Sequence, residues 1–377
     1  MIARTENIHI DGPLIPLVPP RVVKEAIPLP DAVEEQILRQ RRDIVNILNG
    51  DDPRMLIIAG PCSVHNVTAT LEYCEWLMEM RERFLDRLYI MVRLHQEKPR
   101  TTKDWPGMFL DPSGTENGEM DKGIAMSRGL FVEAARIGLP VSTELMLMFG
   151  PQYYGDVLSF AVLGARTSES SIHRWLVSGV SAPYGIKNGT GGSIKQAVYG
   201  LETARHPHWF PSNNEDGILC KCHSTGNPNG VLILRGGAGE PNYEQRVVDR
   251  ATRLLSKTGL RPVVMIDVCH DNSGKNPQQS EQVWYSVIKS RAERRSPVIG
   301  MMLESYFQEG RQNVNGKALS QTDPKISITD PCVSIKTTER LLTSAHHFLT
   351  CCDINGFAEQ VDCDWAPNPH PFNQLGF

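Results

Sequence analysis

Eight short apolar runs recur along the chain, amphipathic segments of helix length alternate with most of them, and every run leads to a residue able to do chemistry. Together these observations predict an α/β fold of the (β/α)8 barrel class. Strand–helix alternation implies parallel strands joined by crossovers, and eight strands is the count that closes such a barrel. The strand-like runs are 55–61 (MLIIAGP), 88–94 (LYIMVRL), 139–144 (LPVSTE), 160–166 (FAVLGAR), 183–187 (PYGIK), 230–235 (GVLILR), 262–268 (PVVMIDV) and 298–304 (VIGMMLE). Helical periodicity marks Thr68–Phe84, Asp121–Ile137, Glu169–Val177, Tyr243–Lys257, Glu281–Arg294 and Thr337–Leu349. Residues 55–350 suit a barrel of about 250 residues with several long loops. An open doubly wound sheet is the structural alternative, but no GxGxxG follows the first strand.

Two flanks border the barrel. Residues 1–54 read as an N-terminal arm and helix. The arm is proline-rich to about residue 30, and Asp31 is placed to cap a helix reaching Leu48, with Glu34, Glu35, Arg39, Arg41 and Arg42 on its polar face. Apolar residues in the arm suggest docking on a second subunit, so a homodimer or homotetramer is expected. Residues 351–377 form a C-terminal tail rich in proline and asparagine. A hydrophobic content of 40% and a charged content of 22% are those of a soluble globular protein. A net charge of -4 argues against nucleic acid as a partner. No run has the length needed to span a membrane, and the first residues lack the apolar centre of a signal peptide. Nine cysteines without a compact disulfide spacing fit a reducing cytoplasm.

The strand ends suggest the chemistry. The first run leads to Cys62, the second holds Arg93, and the next three finish with Glu144, Arg166 and Lys187. The last three lead to Arg235, to His270 with Asp267 just before it, and to Glu304. Barrel enzymes carry their sites at this carboxyl-terminal face. Lys98 and Arg100 follow the second strand, so six cations aim at one mouth: Arg93, Lys98, Arg100, Arg166, Lys187 and Arg235. That much charge suits two phosphorylated or carboxylated substrates side by side. Cys62, His270 and Glu304, with Asp330 from the loop SITDP, form a mixed donor set that would accept Mn, Fe, Co or Zn. Singly, Cys62 reads as a small buried hydrophobe and His270 as a satisfied core histidine. Grouped on one barrel face, they read as a divalent-metal site. Ser63, Thr101, Asn188 and Thr190 are expected to add neutral donors, and the glycine runs after Lys187 and Arg235 to offer backbone N–H groups to an anion.

The stretches AGPCS (59–63), EKPRTT (97–102), GARTSES (164–170), GIKNGT (185–190), LRGG (234–237), the IDVCH–NS–K series (266–275) and SITD (327–330) resemble the type I 3-deoxy-D-arabino-heptulosonate 7-phosphate (DAHP) synthases, in the microbial branch regulated by aromatic amino acids. The resemblance implies metal-dependent condensation of phosphoenolpyruvate with erythrose 4-phosphate, the first step of the shikimate pathway. It implies that Cys62, His270, Glu304 and Asp330 hold the metal. Arg93, Lys98, Ala165, Arg166, Lys187 and Arg235 match the phosphoenolpyruvate pocket, with Glu144 beside it. Arg100 and Thr101, with Asp330, match the erythrose 4-phosphate site. Lys98, Glu144, Cys62 and His270 are the implied catalytic set. Pro151, Gln152, Leu176, Val180, Ser181, Phe210 and Ser212 match a side cavity for an inhibitory amino acid.

Several positions depart from that pattern. LHQ (94–96) replaces a more aromatic pair, and Asp271 follows the metal histidine where a small residue is usual. Leu147 stands where an aspartate would hold the inhibitor's ammonium, which predicts weak or altered feedback unless Glu215 or Asp216 substitutes. Cys220, Cys222 and His223 could be read as a second metal site, but such close spacing more often is not one. Two other functions fit part of the pattern: a synthase acting on another aldose phosphate or an imino analogue, and a catalytically silent barrel serving as a regulatory partner.

Overall fold

The eight apolar runs all become parallel strands. The computed structural model describes residues 6, 9–294, 296–314 and 316–355. Two helices precede the barrel, α1 (Pro20–Ala26) and α2 (Asp31–Asn49). The first half of the barrel runs β1 (Met55–Gly60), α3 (Val67–Arg83), β2 (Leu88–Arg93), α4 (Met120–Ile137), β3 (Val141–Glu144), α5 (Pro151–Tyr154), β4 (Phe160–Leu163) and α6 (Ser171–Ser178). It continues with β5 (Tyr184–Lys187), α7 (Ile194–Ala204), an inserted pair β6 (Trp209–Asn213) and β7 (Leu219–His223), then β8 (Gly230–Leu234) and α8 (Gln245–Lys257). The last turns are β9 (Val264–Asp267), α9 (Pro277–Arg294), β10 (Val298–Tyr306), the short β11 (Val333–Ser334) and α10 (Ile335–Asn355). The sheet order is β1-β2-β3-β4-β5-β8-β9-β10, and β10 pairs back onto β1 from Leu56↔Gly300 to Gly60↔Glu304. That closure excludes the open sheet.

Strand parity divides the core in two. Alternate residues Leu56 and Ile58, Tyr89 and Met91, Phe160 and Val162, Val231 and Ile233, Met265 and Met302 fill the barrel interior. Their neighbours, such as Ile57, Ile90, Leu232 and Ile266, belong to the larger cluster shared with the helices. Ile44, Ile47 and Leu48 of α2 join the interior cluster, so this helix stoppers the amino-terminal end of the barrel. Continued upward, the same parity turns Arg93, Glu144, Lys187, Arg235, Asp267 and Glu304 inward at the other end.

The N-terminal segment is less extended than its prolines suggest. Pro20 starts α1, which docks on the protein's own barrel: Val18 N–H donates to Asp121 (2.9 Å), and Arg128 Nε donates to Ile27 O (2.8 Å). Asp31 is the first residue of α2 and not its cap, which is Pro30 with no side-chain hydrogen bond. The β6–β7 hairpin was not foreseen. Its strands pair antiparallel from Trp209↔His223 to Asn213↔Leu219 and leave Trp209 and Leu219 exposed. From residue 356 onward, the C-terminal tail expected from the sequence lies outside the described residues. Among the described residues no helix is long and apolar enough to cross a membrane.

Ile44 is fully buried in the stopper. Ile44→Ala is expected to cost about 2–5 kcal/mol, read as a lower urea midpoint at unchanged m-value, while kcat stays near wild type.

Candidate active site at the barrel mouth

A cavity of about 180 Å³ opens at the carboxyl-terminal face, lined by Arg93, Lys98, Arg100, Thr101, Glu144, Ala165, Arg166, Lys187, Arg235, His270, Lys275 and Asp330 among others. All six predicted cations reach it. Four of them meet a carboxylate, three at the inner end of the mouth: Arg93 Nη2 donates to Glu304 Oε1 (3.0 Å), Lys187 Nζ to Asp267 (2.7 Å) and Arg235 to Asp271 (2.6 Å). Arg93 also donates to the carbonyls of Pro61 and Cys62, which ties the loop after β1 to β2. Arg100 pairs with Asp104, and Arg166 Nε donates to Thr101 Oγ1 (2.9 Å). Arg93 Nε and Arg235 Nε are buried with no acceptor. Buried donors left without a partner cost stability, so both are suited to a ligand oxygen.

Cys62, Glu304 and Asp330 bring one donor atom each to within 4.8 Å of one another. His270 Nε2 stands 3.7 Å from Glu304, and its Nδ1 lies 2.8 Å from Asp267. The thiol and the two carboxylates are a donor set that fits a divalent cation, and the imidazole of His270 stands at its edge beside Glu304, outside the 4.8 Å grouping. His270 takes a left-handed backbone (φ 51°), uncommon for a residue with a Cβ, and its carbonyl accepts Lys275 N–H (2.8 Å). Burial pushes the Cys62 thiol up, with Glu304 adding to the effect. Burial also raises Asp330, but the charges of Lys275, Lys98 and His270 outweigh it and hold this carboxyl at about 2. Lys98 Nζ donates to Cys62 O (3.0 Å) and reaches its Sγ (3.4 Å).

Three site residues have no role assigned from the sequence, where Asp267 is noted only as preceding His270. Asp267 is fully buried between Lys187 and His270, and their charges hold its carboxyl well below the usual range despite the burial that opposes them. Its parity with Met265 inside β9 would have revealed it. Lys275 pairs with Asp330 (3.0 Å). Glu97 anchors the loop that carries Lys98 and Arg100: its carboxylate accepts Tyr154 O–H (2.6 Å) and the N–H groups of Met146 (3.0 Å) and Leu147 (2.8 Å). Two expected donors are corrected. Ser63 bonds to Thr329 (2.8 Å), and Asn188 donates to Gly236 O (2.8 Å) while accepting Arg235 N–H (2.9 Å). Both are buried braces between loops, and their polar atoms are taken by the protein.

The seven residues expected around an effector do line one separate cavity of about 660 Å³. Glu34 and Asp156 also line it. Asp156 is held by both Arg128 Nη atoms (2.9 Å each), whereas Glu34 has no ion-pair partner among the described residues. Leu147 packs against the hydrophobic core and is not among the residues lining this cavity. Glu215 and Asp216 are engaged elsewhere, with Lys24 (2.8 Å) and Arg21 (2.9 Å). Cys220, Cys222 and His223 lie along β7 and do not gather into a metal cluster among the described residues.

A closed parallel barrel with cations and metal-type donors at its carboxyl-terminal mouth defines an enzyme class that handles anionic substrates. Residues 30–343 match the family model described as the DAHP synthetase I family. The chain is 37% identical over 350 residues to the Tyr-sensitive phospho-2-dehydro-3-deoxyheptonate aldolase of Escherichia coli K12, covering 93% of this chain and 96% of that one. It is 38% identical over 327 residues to the Phe-sensitive enzyme of the same organism, covering 86% and 92%. The solved phospho-2-dehydro-3-deoxyheptonate aldolase of Francisella tularensis SCHU S4 superposes with a TM-score of 0.87 at 34% identity, covering 90% of this chain and 98% of that one. The chain belongs to the DAHP synthetase I family.

Burial raises Glu97 to about 7 from an ordinary value of 4.5, against the pull of its three hydrogen-bond donors. A raised folded pKa makes folding favour the protonated form. Stability from this group is therefore full below 4.5 and is lost as pH rises through about 7. Urea midpoints at about pH 5 and pH 8 should show a decline in wild type that Glu97→Gln lacks.

Proposed function

We propose that this chain condenses phosphoenolpyruvate with erythrose 4-phosphate and water, yielding DAHP and phosphate. The observation that carries the reading is one small mouth in which six cations surround a thiol–carboxylate cluster. Arg93, Arg166, Lys187 and Arg235, with the backbone at Ala165, bind the phosphate and carboxylate of phosphoenolpyruvate. Arg100 and Thr101 hold the phosphate of the aldose. Cys62, His270, Glu304 and Asp330 would hold a divalent metal, which when bound supplies Lewis-acid polarisation of the aldehyde. C3 of phosphoenolpyruvate attacks the aldehyde carbon, and water adds at C2. Glu144 takes a proton from that water, and Lys98 Nζ, beside Cys62, gives one to the oxygen that was the aldehyde's. The C–O bond to phosphate then breaks, and phosphate leaves.

A homo-oligomer is proposed on the exposure of Ile10, Leu14, Ile15, Trp209 and Leu219, apolar side chains that a second copy would cover. A cytoplasmic location is proposed because the described cysteines are all free thiols. The cavity holding Pro151, Gln152, Leu176, Val180, Ser181, Phe210 and Ser212 is proposed as a site for an amino-acid effector.

Phosphate release from phosphoenolpyruvate should require erythrose 4-phosphate, vanish after chelation and return with Mn. Release without the aldose, or activity indifferent to chelation, would contradict the assignment. Phenylalanine, tyrosine and tryptophan should each inhibit weakly, because Glu34 is the cavity carboxylate left to meet an ammonium group. Glu34→Gln should abolish the inhibition that exists, and tight inhibition surviving that change would refute the effector reading.

A further inference from the structure

His95 lies directly beneath the mouth and has no assigned task. It follows Arg93 by two residues, its backbone carbonyl is fixed by Val64 N–H (2.9 Å), and its side chain is completely buried. Neither ring nitrogen has a hydrogen-bond partner. A buried donor or acceptor left unsatisfied costs about 1–3 kcal/mol, so an idle imidazole here would be a net loss. One acceptor stands within reach. Nδ1 lies 3.5 Å from Glu144 Oε2, and among the described residues it is the only basic nitrogen within 4.0 Å of that carboxylate.

The surroundings decide which form of the ring is present. Burial, together with the positive charges of Arg93, Lys98, Lys187 and His270, pushes its pKa well below the ordinary histidine value, so the ring is neutral. A neutral imidazole has one N–H and one lone pair, whereas an ionised carboxylate only accepts. Of the two tautomers, the one with hydrogen on Nδ1 therefore satisfies both partners. The other side of Glu144 is closed by Gly164, where even a Cβ would fall 1.9 Å from Oε1. The carboxylate is thus confined between a bare backbone and the imidazole. A separation of 3.5 Å is long for a hydrogen bond, as is common at catalytic groups before substrate draws them together.

We propose that His95 is a positioning residue: it donates Nδ1–H to Oε2 of Glu144 and fixes that carboxylate in the orientation from which it takes a proton from water. The inference rests on the reaction assigned above and adds to it the residue that orients the base. His95 itself touches no reacting atom.

The test uses the full-length, metal-loaded protein and has two arms. In the first, ¹⁵N spectra of histidine-labelled protein are compared with His95→Asn to pick one ring out of 11. The expected result is the tautomer with hydrogen on Nδ1, its signal shifting in Glu144→Gln. Hydrogen on Nε2 instead would overturn the proposal even in a protein that turns over. In the second arm, kcat and KM for phosphoenolpyruvate are measured by phosphate release. His95→Leu should lower kcat about 10- to 100-fold with KM changed less than about twofold, as a misaligned group would. His95→Asn, which keeps an N–H near the Nδ1 position, should recover most of kcat. In a Glu144→Gln background, His95→Leu should add no further loss. Full multiplicative losses, or an Asn variant no better than Leu at equal thermal midpoint, would overturn it. Wild-type protein that releases no phosphate would count against the reaction and leave the tautomer result to judge the His95–Glu144 contact.

Discussion

The barrel mouth is governed by repulsion among like charges. Two cations about 4 Å apart cost on the order of 4 kcal/mol where the effective dielectric is near 20, and six are gathered around a cavity of about 180 Å³. The fold meets this with carboxylates, two of them delivered by strand parity and the third by the loop after β9: Glu304 against Arg93, Asp267 between Lys187 and His270, and Asp271 against Arg235. Arg93–Glu304 links β2 to β10 across β1, Lys187–Asp267 links β5 to β9 across β8, and Arg235–Asp271 ties loop to loop, so each ion pair also braces the barrel. Among the described residues, Lys98 and Arg166 meet no carboxylate, and Arg100 meets only the exposed Asp104. These are the charges left to respond to incoming anions.

This division explains the roles of the loops. The segment after β2 carries Lys98, Arg100 and Thr101, and it is held at its root by Glu97, whose acceptors fix the backbone at Met146 and Leu147. The same turn leads into Pro151 and Gln152 on the wall of the second cavity. The anchored carboxylate is therefore a physical link between the substrate-binding loop and the region proposed for an effector. Ser63 and Asn188 serve the same scaffold, as braces with their hydrogen bonds spent inside the protein.

Much of this was legible in the sequence because period-two burial is a strong constraint. An apolar strand ending in a charge, as in MVR or VLILR, has one geometry in a barrel, with the charge at the mouth. The eight strand runs and Arg93, Lys187 and Arg235 follow from that rule, whereas Lys98, Arg100 and Arg166 lie in the loops beyond their strands. What the sequence concealed are features outside it. The β6–β7 hairpin has one exposed face and no place in the barrel, so its alternation could not be told from a loop. Ser63 and Asn188 could not be separated from ligand donors without knowing which way they point. Glu97 sits within a motif of cations and reads as solvent-exposed, although it is almost fully buried. Asp31 has a side chain that suits a cap, yet the extended backbone of Pro30 already starts the helix.

In the proposed reaction the mouth adds water at C2 of an enol phosphate and breaks its C–O bond, with Glu144 receiving the proton. The most direct measurement runs the reaction in ¹⁸O-enriched water and follows the released phosphate by ³¹P NMR. Phosphate free of ¹⁸O is the expected result, since the bridging oxygen leaves with phosphorus. Phosphate carrying ¹⁸O would mean that water attacks phosphorus, making the protein a phosphatase and contradicting the account.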